Sequence, residues 1–262
     1  MSTFYSNNTF FSRRNHAILR GITLSLHAGE VLSLLGANGA GKSTFLSALA
    51  GELDASHTIS LNGQTLATME PKRQARTRSI LPQKPGLAFD LEVSEVVAMG
   101  TYPFPDLKKN EINNLCSAAM MKADISTLAK RRYLELSGGE QQRVHYARAI
   151  LQLLSGFYIK QQPRYLLLDE PTASLDPLHQ HTLLNSVRDL AQSHQLGVLV
   201  VLHDVNLAAL YSDRIALLSQ GKILDCGTPC QVLTPENLYH VYGIKAHIMV
   251  HPERNKPLVI FG

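Results

Sequence analysis

The sequence is 262 residues long and carries a formal net charge of +4, from 25 Lys and Arg against 21 Asp and Glu. With 45% hydrophobic and 18% charged residues, its composition is that of a globular chain and excludes an intrinsically disordered one. The charge excess is too small to indicate nucleic-acid binding, so we expect no nucleic-acid partner. No apolar run approaches the roughly 20 residues that a membrane-spanning helix needs, and the first residues lack the pattern of a secretory signal.

The chain has three cysteines, Cys116, Cys226 and Cys230. Their number is odd, and their spacing is not that of metal ligands. Reduced structural thiols in a reducing compartment are the simpler interpretation. We therefore expect a soluble cytoplasmic protein.

The first third of the chain alternates strand and turn signals. Residues 22–26 alternate apolar and polar side chains, as a half-buried strand does, and residues 31–35 have the continuous apolar character of a buried strand. A glycine-rich loop then precedes a predicted helix over residues 42–50. Asn62-Gly63 predicts a hairpin turn between strands at 59–61 and 64–66.

The middle third is helical in pattern, and alternation of strand and helix resumes after Pro163. Helices are predicted over 93–100, 108–128 and 139–154. Strands at 166–168 and 198–202 flank a helix at 177–193, and a last hairpin pairs 216–219 with 222–225. This order predicts an α/β fold with a mostly parallel sheet and an antiparallel β part near the N-terminus. We expect one domain over 1–262, with a core of 1–83 and 157–262 and an inserted helical subdomain at about 84–156.

A phosphate-binding loop is predicted between the strand at 31–35 and the following helix. The run fits G-x-x-x-x-G-K-[ST], in which glycines let backbone N–H groups surround phosphates. The helix N-terminus adds positive potential, the lysine neutralises the β and γ phosphates, and the serine hydroxyl holds Mg²⁺. The predicted nucleotide-binding residues are Gly36, Ala37, Asn38, Gly39, Ala40, Gly41, Lys42 and Ser43, with Thr44 as a further candidate.

Two acids follow the buried strand at 166–168. Asp169, at the strand end, is the predicted metal ligand, and Glu170 is the predicted general base that orients water for in-line attack. The alternative is that the acids merely begin a loop or cap a helix, because Pro171 follows. His203 comes after the next strand, at the same sheet edge, where it could contact the γ-phosphate or be structural.

The run Leu136-Ser137-Gly138-Gly139-Glu140-Gln141-Gln142-Arg143, taken with the phosphate loop and the acidic strand, resembles the ATP-binding subunits of ABC transporters. The resemblance implies a P-loop NTPase core, ATP and Mg²⁺ as ligands, and a homodimer in which each copy completes the other's site. It places Ser137, Gly138, Gly139, Glu140 and Asp176 against the partner's ATP. It implies that Gln83 contacts the metal and the attacking water, and that His203 is the switch histidine. It also implies an aromatic residue that stacks on adenine, which would be Phe11 or alternatively Phe10.

The resemblance also implies partners and a location. An integral membrane permease dimer would carry the transported molecule, fed by a periplasmic substrate-binding protein. The chain would then be a peripheral subunit on the cytoplasmic face of the bacterial inner membrane. The alternatives are a non-transport ABC ATPase that acts on ribosomes or DNA, and an exporter motor. The single ATP-binding unit and the short insert argue against the non-transport ATPase, whereas a periplasmic binding protein encoded next to this gene would distinguish an importer from an exporter.

Several stretches resemble importers of cobalamin, ferric siderophores and heme, namely residues 91–100, 203–208 and 227–229. Within that group the heme branch fits best, because residues 153–163 form an extension before the acidic strand, and residues 75–78 and 251–253 also match. Ferric siderophore or cobalamin is the alternative substrate. The usual Gly-Arg-x-Pro is Gly100-Thr101-Tyr102-Pro103 here. The basic run 72–78 is predicted to be a solvated helix face.

Overall fold

The structure is a computed structural model that describes residues 3–84, 86–159 and 162–262. Its strands are β1 (Thr3–Arg13), β2 (His16–His27), β3 (Val31–Leu35), β4 (Ile59–Leu61), β5 (Gln64–Thr65), β6 (Arg78–Leu81), β7 (Tyr165–Asp169), β8 (Gly197–Val201), β9 (Arg214–Ser219), β10 (Lys222–Gly227), β11 (Ala246–Val250) and β12 (Pro257–Phe261).

The helices surround these strands. They are α1 (Lys42–Leu49), α2 (Pro71–Thr77), α3 (Val93–Ala98), α4 (Lys109–Lys122), α5 (Gly138–Ile159), α6 (Pro177–His194), α7 (Val205–Tyr211), α8 (Pro229–Val232) and α9 (Pro235–Tyr242). Short 3₁₀ helices lie at Ser56–Thr58, Leu66–Thr68, Met99–Thr101, Ser126–Leu128 and Tyr133–Glu135. Among the described residues, no helix has both the length and the apolar character needed to cross a bilayer.

The central sheet has the order β10-β9-β3-β8-β7-β6, parallel except for the β9–β10 hairpin. Strands β3, β7 and β8 are buried at every position, which explains their continuous apolar sequences. The ends of β3, β6, β7 and β8 meet at one sheet edge, where the predicted site residues follow. The mixed α/β fold with a mostly parallel sheet is therefore confirmed.

A second, antiparallel sheet of order β2-β1-β4-β5 covers one face of the central sheet together with α1. The predicted Asn62-Gly63 hairpin is present, and Asn62 ties it to the central sheet: its Nδ2 donates to Pro163 O at 2.9 Å, and its Oδ1 accepts from Tyr165 Oη at 2.8 Å. The opposite face packs against a core built from α3 to α7.

Three parts of the β structure were not predicted, namely the long strand β1, the edge strand β6 and the terminal hairpin β11–β12. Helices α7, α8 and α9 were not predicted either. The basic run is helical only through Thr77, because Arg78 begins β6 and is buried. Its guanidinium donates to Ala50 O and Gln74 Oε1, so the prediction of a solvated face is wrong at this residue.

Helix α5 continues to Ile159, beyond the predicted end at 154 and through the predicted domain boundary at 156. The domain boundaries remain a prediction. Of the segments assigned from the sequence, Met1 and Ser2 of the core, Pro85 of the insert, and Lys160 and Gln161 of the heme-type extension lie outside the described residues.

One buried histidine makes stability depend on pH. His145 is 1% exposed, its Nε2 is hydrogen bonded to Tyr133 Oη at 2.8 Å, and its Nδ1 has no partner among the described residues. Burial, helped by Arg148, lowers the pKa of His145 from 6.5 to about 4. The unfolded chain therefore binds this proton near pH 6.5, whereas the folded chain binds it only near pH 4.

We expect this histidine to lower the free energy of unfolding by about 3 kcal/mol as the pH falls from 6.5 to 4, with the full stability present above 6.5. Urea unfolding at a series of pH values measures the change. His145→Gln should remove this part of the slope, and the exposed His240→Gln is the control that keeps it. Equal slopes in all three proteins would contradict the assignment.

Candidate nucleotide-binding site

The predicted phosphate loop lies between β3 and α1, as the motif requires. Gly36 has no room for a side chain, since a Cβ there would collide with the carbonyl oxygen of Leu218. Gly41 occupies the N-cap of α1 with φ of 107°, a conformation that L side chains rarely adopt. The glycines at these positions are thus required by the backbone. Asn38 and Gly39 are exposed at the tip of the loop, where a ligand could reach their N–H groups.

Lys42 is 6% exposed and folds back over the loop. Its Nζ donates to Gly36 O at 2.8 Å and to Ala37 O at 3.2 Å. Burial lowers the pKa of this amine, while Glu170 and Asp169 oppose the shift. Among the described residues, this buried cation is satisfied by carbonyl dipoles and two nearby acids, which suits it electrostatically to bind an incoming phosphate.

Ser43 and Asp169 lie side by side, with Ser43 Oγ donating to Asp169 Oδ1 at 3.3 Å. Burial raises the pKa of Asp169, and the neighbouring Glu170 adds to the shift. A hydroxyl and a buried carboxylate next to a phosphate loop form the hard oxygen set that Mg²⁺ prefers, and a cation would offset the cost of ionising Asp169. The residues present therefore fit Mg²⁺.

Glu170 is the centre of a hydrogen-bonded cluster formed by the segments that follow β6, β7 and β8. His203 Nε2 lies 2.6 Å from Glu170 Oε1, and Gln83 Nε2 donates to Glu170 Oε2 at 2.6 Å. The three predicted catalytic residues are thus in direct contact. Gln83 makes no hydrogen bond to Ser43 or Asp169 within the described residues, so its role at the metal stays a prediction.

Two features hold Glu170 in place that sequence reasoning did not single out. Its backbone has φ of 51°, the left-handed region, which is costly for a non-glycine residue and is typical of functional sites. Gln142 of α5 is buried, and its Nε2 donates to Glu170 O at 3.1 Å. Gln142 belongs to the run 136–143 that carries the family resemblance. Its place in that run was the one sequence feature that could have indicated a role at the site.

The start of α5 is closed by a capping box. Ser137 N and Oγ both donate to Glu140 Oε2 at 2.8 Å, and Glu140 N donates to Ser137 Oγ at 3.3 Å. These contacts lower the pKa of Glu140. Gly138 is exposed with nothing within 4 Å of an added Cβ, whereas a Cβ on Gly139 would lie 2.8 Å from Ser174 O.

The remaining predicted residues lie at the edges of the site. Asp176 caps α6, where Oδ1 accepts from His179 N at 2.9 Å, and its side chain is 60% exposed. Thr44 lies half-buried in the first turn of α1. Phe11 packs half-buried against the core in β1, while Phe10 is 59% exposed. The choice between them as the adenine contact stays a prediction.

A strand–loop–helix phosphate site beside an acidic strand end on a mostly parallel sheet defines an ATP-binding ATPase of the P-loop class. The ABC transporter family profile matches residues 19–173. The chain belongs to the ABC transporter family.

Sequence relatives extend over almost the whole chain. It is 48% identical over 260 residues to the hemin import ATP-binding protein HmuV of Bordetella avium, covering 98% of both chains. It is 46% identical over 256 residues to the protein of that name from Pseudomonas fluorescens strain Pf0-1, covering 97% of this chain and 98% of the relative.

Solved structures share the fold. A chain of an inward-facing transporter described as a metal-chelate type ABC transporter aligns with a TM-score of 0.79 and 26% identity, covering 100% of this chain and 98% of that one. A bacterial Atm1-family ABC exporter with ATP bound aligns with a TM-score of 0.76 and 27% identity, covering 91% of this chain and 40% of that one. Because an exporter matches almost as well, the fold does not determine the direction of transport.

Proposed function

We propose that this chain is the ATP-hydrolysing subunit of a hemin importer. The supporting observation is the identity of 46–48% to hemin import ATP-binding proteins from two genera, over at least 97% of each chain. During transport the permease, and not the ATPase subunit, carries the transported molecule, so relatedness over the whole chain is the relevant argument for the substrate.

The site residues divide the hydrolysis step between them. Lys42 and the loop N–H groups bind the β and γ phosphates, and Ser43, Asp169 and Gln83 would hold Mg²⁺. Bound Mg²⁺ supplies positive charge at the phosphate oxygens. Glu170 orients the attacking water and accepts a proton from it. Its hydrogen-bond partners, His203 and Gln83, keep the carboxylate in the required position.

A second copy of the chain would complete the site. Ser137 and Gly138 are exposed, and within the described residues Ser137 bonds only to its own helix start. An anion on a partner would therefore take the place of the Glu140 carboxylate as acceptor for the Ser137 N–H and hydroxyl groups, next to the exposed backbone of Gly138. Asp176, exposed at the start of α6, lies on the loop that would cross the same interface. These features support a homodimer with two shared ATP sites.

The membrane components follow from the same proposal. A separate permease dimer would span the bilayer, a periplasmic binding protein would deliver hemin to it, and this chain would act at the cytoplasmic face of the inner membrane. ATP-driven closure of the two copies would switch the permease between its states, and hydrolysis would reopen it.

The test is ATPase activity of the chain co-purified with its permease in liposomes, with binding protein loaded with hemin, a ferric siderophore or cobalamin. Stimulation several-fold by the hemin-loaded protein alone is expected. Stimulation by either other ligand alone would overturn the substrate assignment and keep the motor. Recovery of ribosomes or DNA, with no membrane protein, would overturn the importer itself.

A further inference from the structure

The C-terminal end of α5 forms part of a cavity of about 730 Å³ that the nucleotide site does not use. Other lining residues come from α4 and from the end of α6. The volume is that of a small-molecule or cofactor pocket. Leu154, Phe157 and Pro163 of the lining belong to the extension at 153–163, for which the hydrolysis mechanism has no use.

The lining is mainly apolar, with a cation and no carboxylate among the described residues. Leu115, Leu154, Phe157 and Pro163 provide apolar surface, and Lys122 provides the positive charge. Such a lining favours a ligand with an apolar body and a negatively charged edge. The cation would offset the cost of removing that negative charge from water, and no acid in the described lining would repel it.

His194, the last residue of α6, also lines this cavity. Its ring stacks on Phe157 with centroids 5.4 Å apart and an interplanar angle of 29°. Within the described part of the chain, neither of its ring nitrogens makes a hydrogen bond. Burial and the charge of Lys122 lower the pKa of His194. A ring held by stacking, whose nitrogens make no hydrogen bond within the described residues, can offer a nitrogen lone pair to a metal.

We propose that this cavity binds an iron porphyrin, with His194 as an axial ligand of the iron and Lys122 paired with a propionate. A porphyrin is flat and apolar with carboxylates on one edge, which matches the lining. The bond forms by donation of the imidazole lone pair to ferric iron in place of water, so no electron is transferred. The inference rests on hemin transport as the proposed function, because that activity would deliver this ligand to the same compartment.

Occupation of the cavity has a consequence for the motor. Helix α5 begins at Gly138 and ends at the cavity, about 30 Å away at 1.5 Å per residue. A porphyrin ligated by His194 of α6 and packed against the apolar end of α5 would bridge these helices and resist any movement of α5 against the core. Imported hemin would then slow the ATPase that imported it.

Hemin titration of the full-length chain, followed by its Soret absorbance, tests the site. His194→Phe keeps the ring stacking but removes the ligand, and we expect at least tenfold weaker binding and loss of the histidine-ligated spectrum. Lys122→Gln should weaken hemin and iron-free protoporphyrin alike, whereas His194→Phe should leave protoporphyrin unchanged. The exposed His247→Phe is the matched control. Identical spectra and affinities in the wild type and His194→Phe would overturn the proposal.

The regulatory part has its own readout. Saturating hemin should lower the wild-type ATPase rate several-fold and leave His194→Phe unaffected, while both have equal rates without hemin. Equal inhibition of the two proteins would overturn the feedback role. The liposome experiment separates the two proposals. ATPase stimulation by hemin-loaded binding protein, without hemin binding by this chain, would remove only the cavity site. Hemin binding by this chain, without that stimulation, would remove only the import function.

Discussion

Replacing Glu170 with glutamine is expected to reduce ATP hydrolysis by about 10²- to 10⁴-fold while ATP binding persists. The substitution keeps the shape of the side chain and removes the charge that accepts a proton from water. The amide oxygen can still accept from Gln83 Nε2, and the amide NH₂ can donate to His203 Nε2 when that imidazole carries its proton on Nδ1. The cluster should therefore stay assembled.

The measurements are phosphate release, ATP affinity and molecular mass by light scattering. Since closure on ATP would no longer be reversed by hydrolysis, Glu170→Gln should accumulate as an ATP-bound dimer. Glu236→Gln, the same exchange at an exposed position of α9, is the control and should behave as the wild type. Wild-type turnover in Glu170→Gln would remove Glu170 from the role of base.

Replacing Lys42 with alanine is expected to weaken ATP binding by about 10- to 100-fold, the value of a charge-assisted hydrogen bond to phosphate. Lys42 is buried at the loop, so no neighbouring water shell replaces its contact with the ligand. Without nucleotide, the variant should differ little in stability, because the desolvation cost that is relieved offsets the hydrogen bonds lost to Gly36 O and Ala37 O.

Calorimetric titration with Mg-ATP and thermal unfolding without nucleotide measure the two effects separately. Lys109→Ala, at an exposed position of α4, controls for the loss of one positive charge. An ATP affinity equal to that of the wild type would overturn the assignment of the phosphate loop. A large fall in the unfolding temperature would instead show that Lys42 is mainly structural.

The parts of the site that depend on local sequence were predictable. The phosphate loop, β3 and β7 are short, nearly continuous signals, in which glycines or buried apolar side chains determine the structure. The same holds for the Asn62-Gly63 hairpin, because its turn chemistry lies within four residues.

The parts that depend on distant partners were not predictable from pattern. Strand β1 buries Ser6 and Thr9, whose hydroxyl groups are hydrogen bonded to Ile22 O at 3.0 Å and to Thr58 Oγ1 at 2.7 Å, so its buried face is not continuously apolar. Strand β6 begins with Arg78 and Ser79, where Arg78 Nη2 donates to Ala50 O and Ser79 Oγ donates to Gln152 Oε1. Such partners lie far away in the sequence, and only the folded chain brings them into contact.

The position of β3 at the centre of the sheet has a consequence for how the protein folds. Strand β3 pairs in parallel with β8 and β9, so these two contacts close the longest intervals in the central sheet, from Leu35 to Gly197 and to Arg214. Loop closure over such intervals disfavours early pairing, and we expect β3 to take its place in the sheet late in folding. The phosphate loop follows β3 directly. Competence to bind nucleotide should thus be a late event in biogenesis, reached only after β8 and β9 have been synthesised.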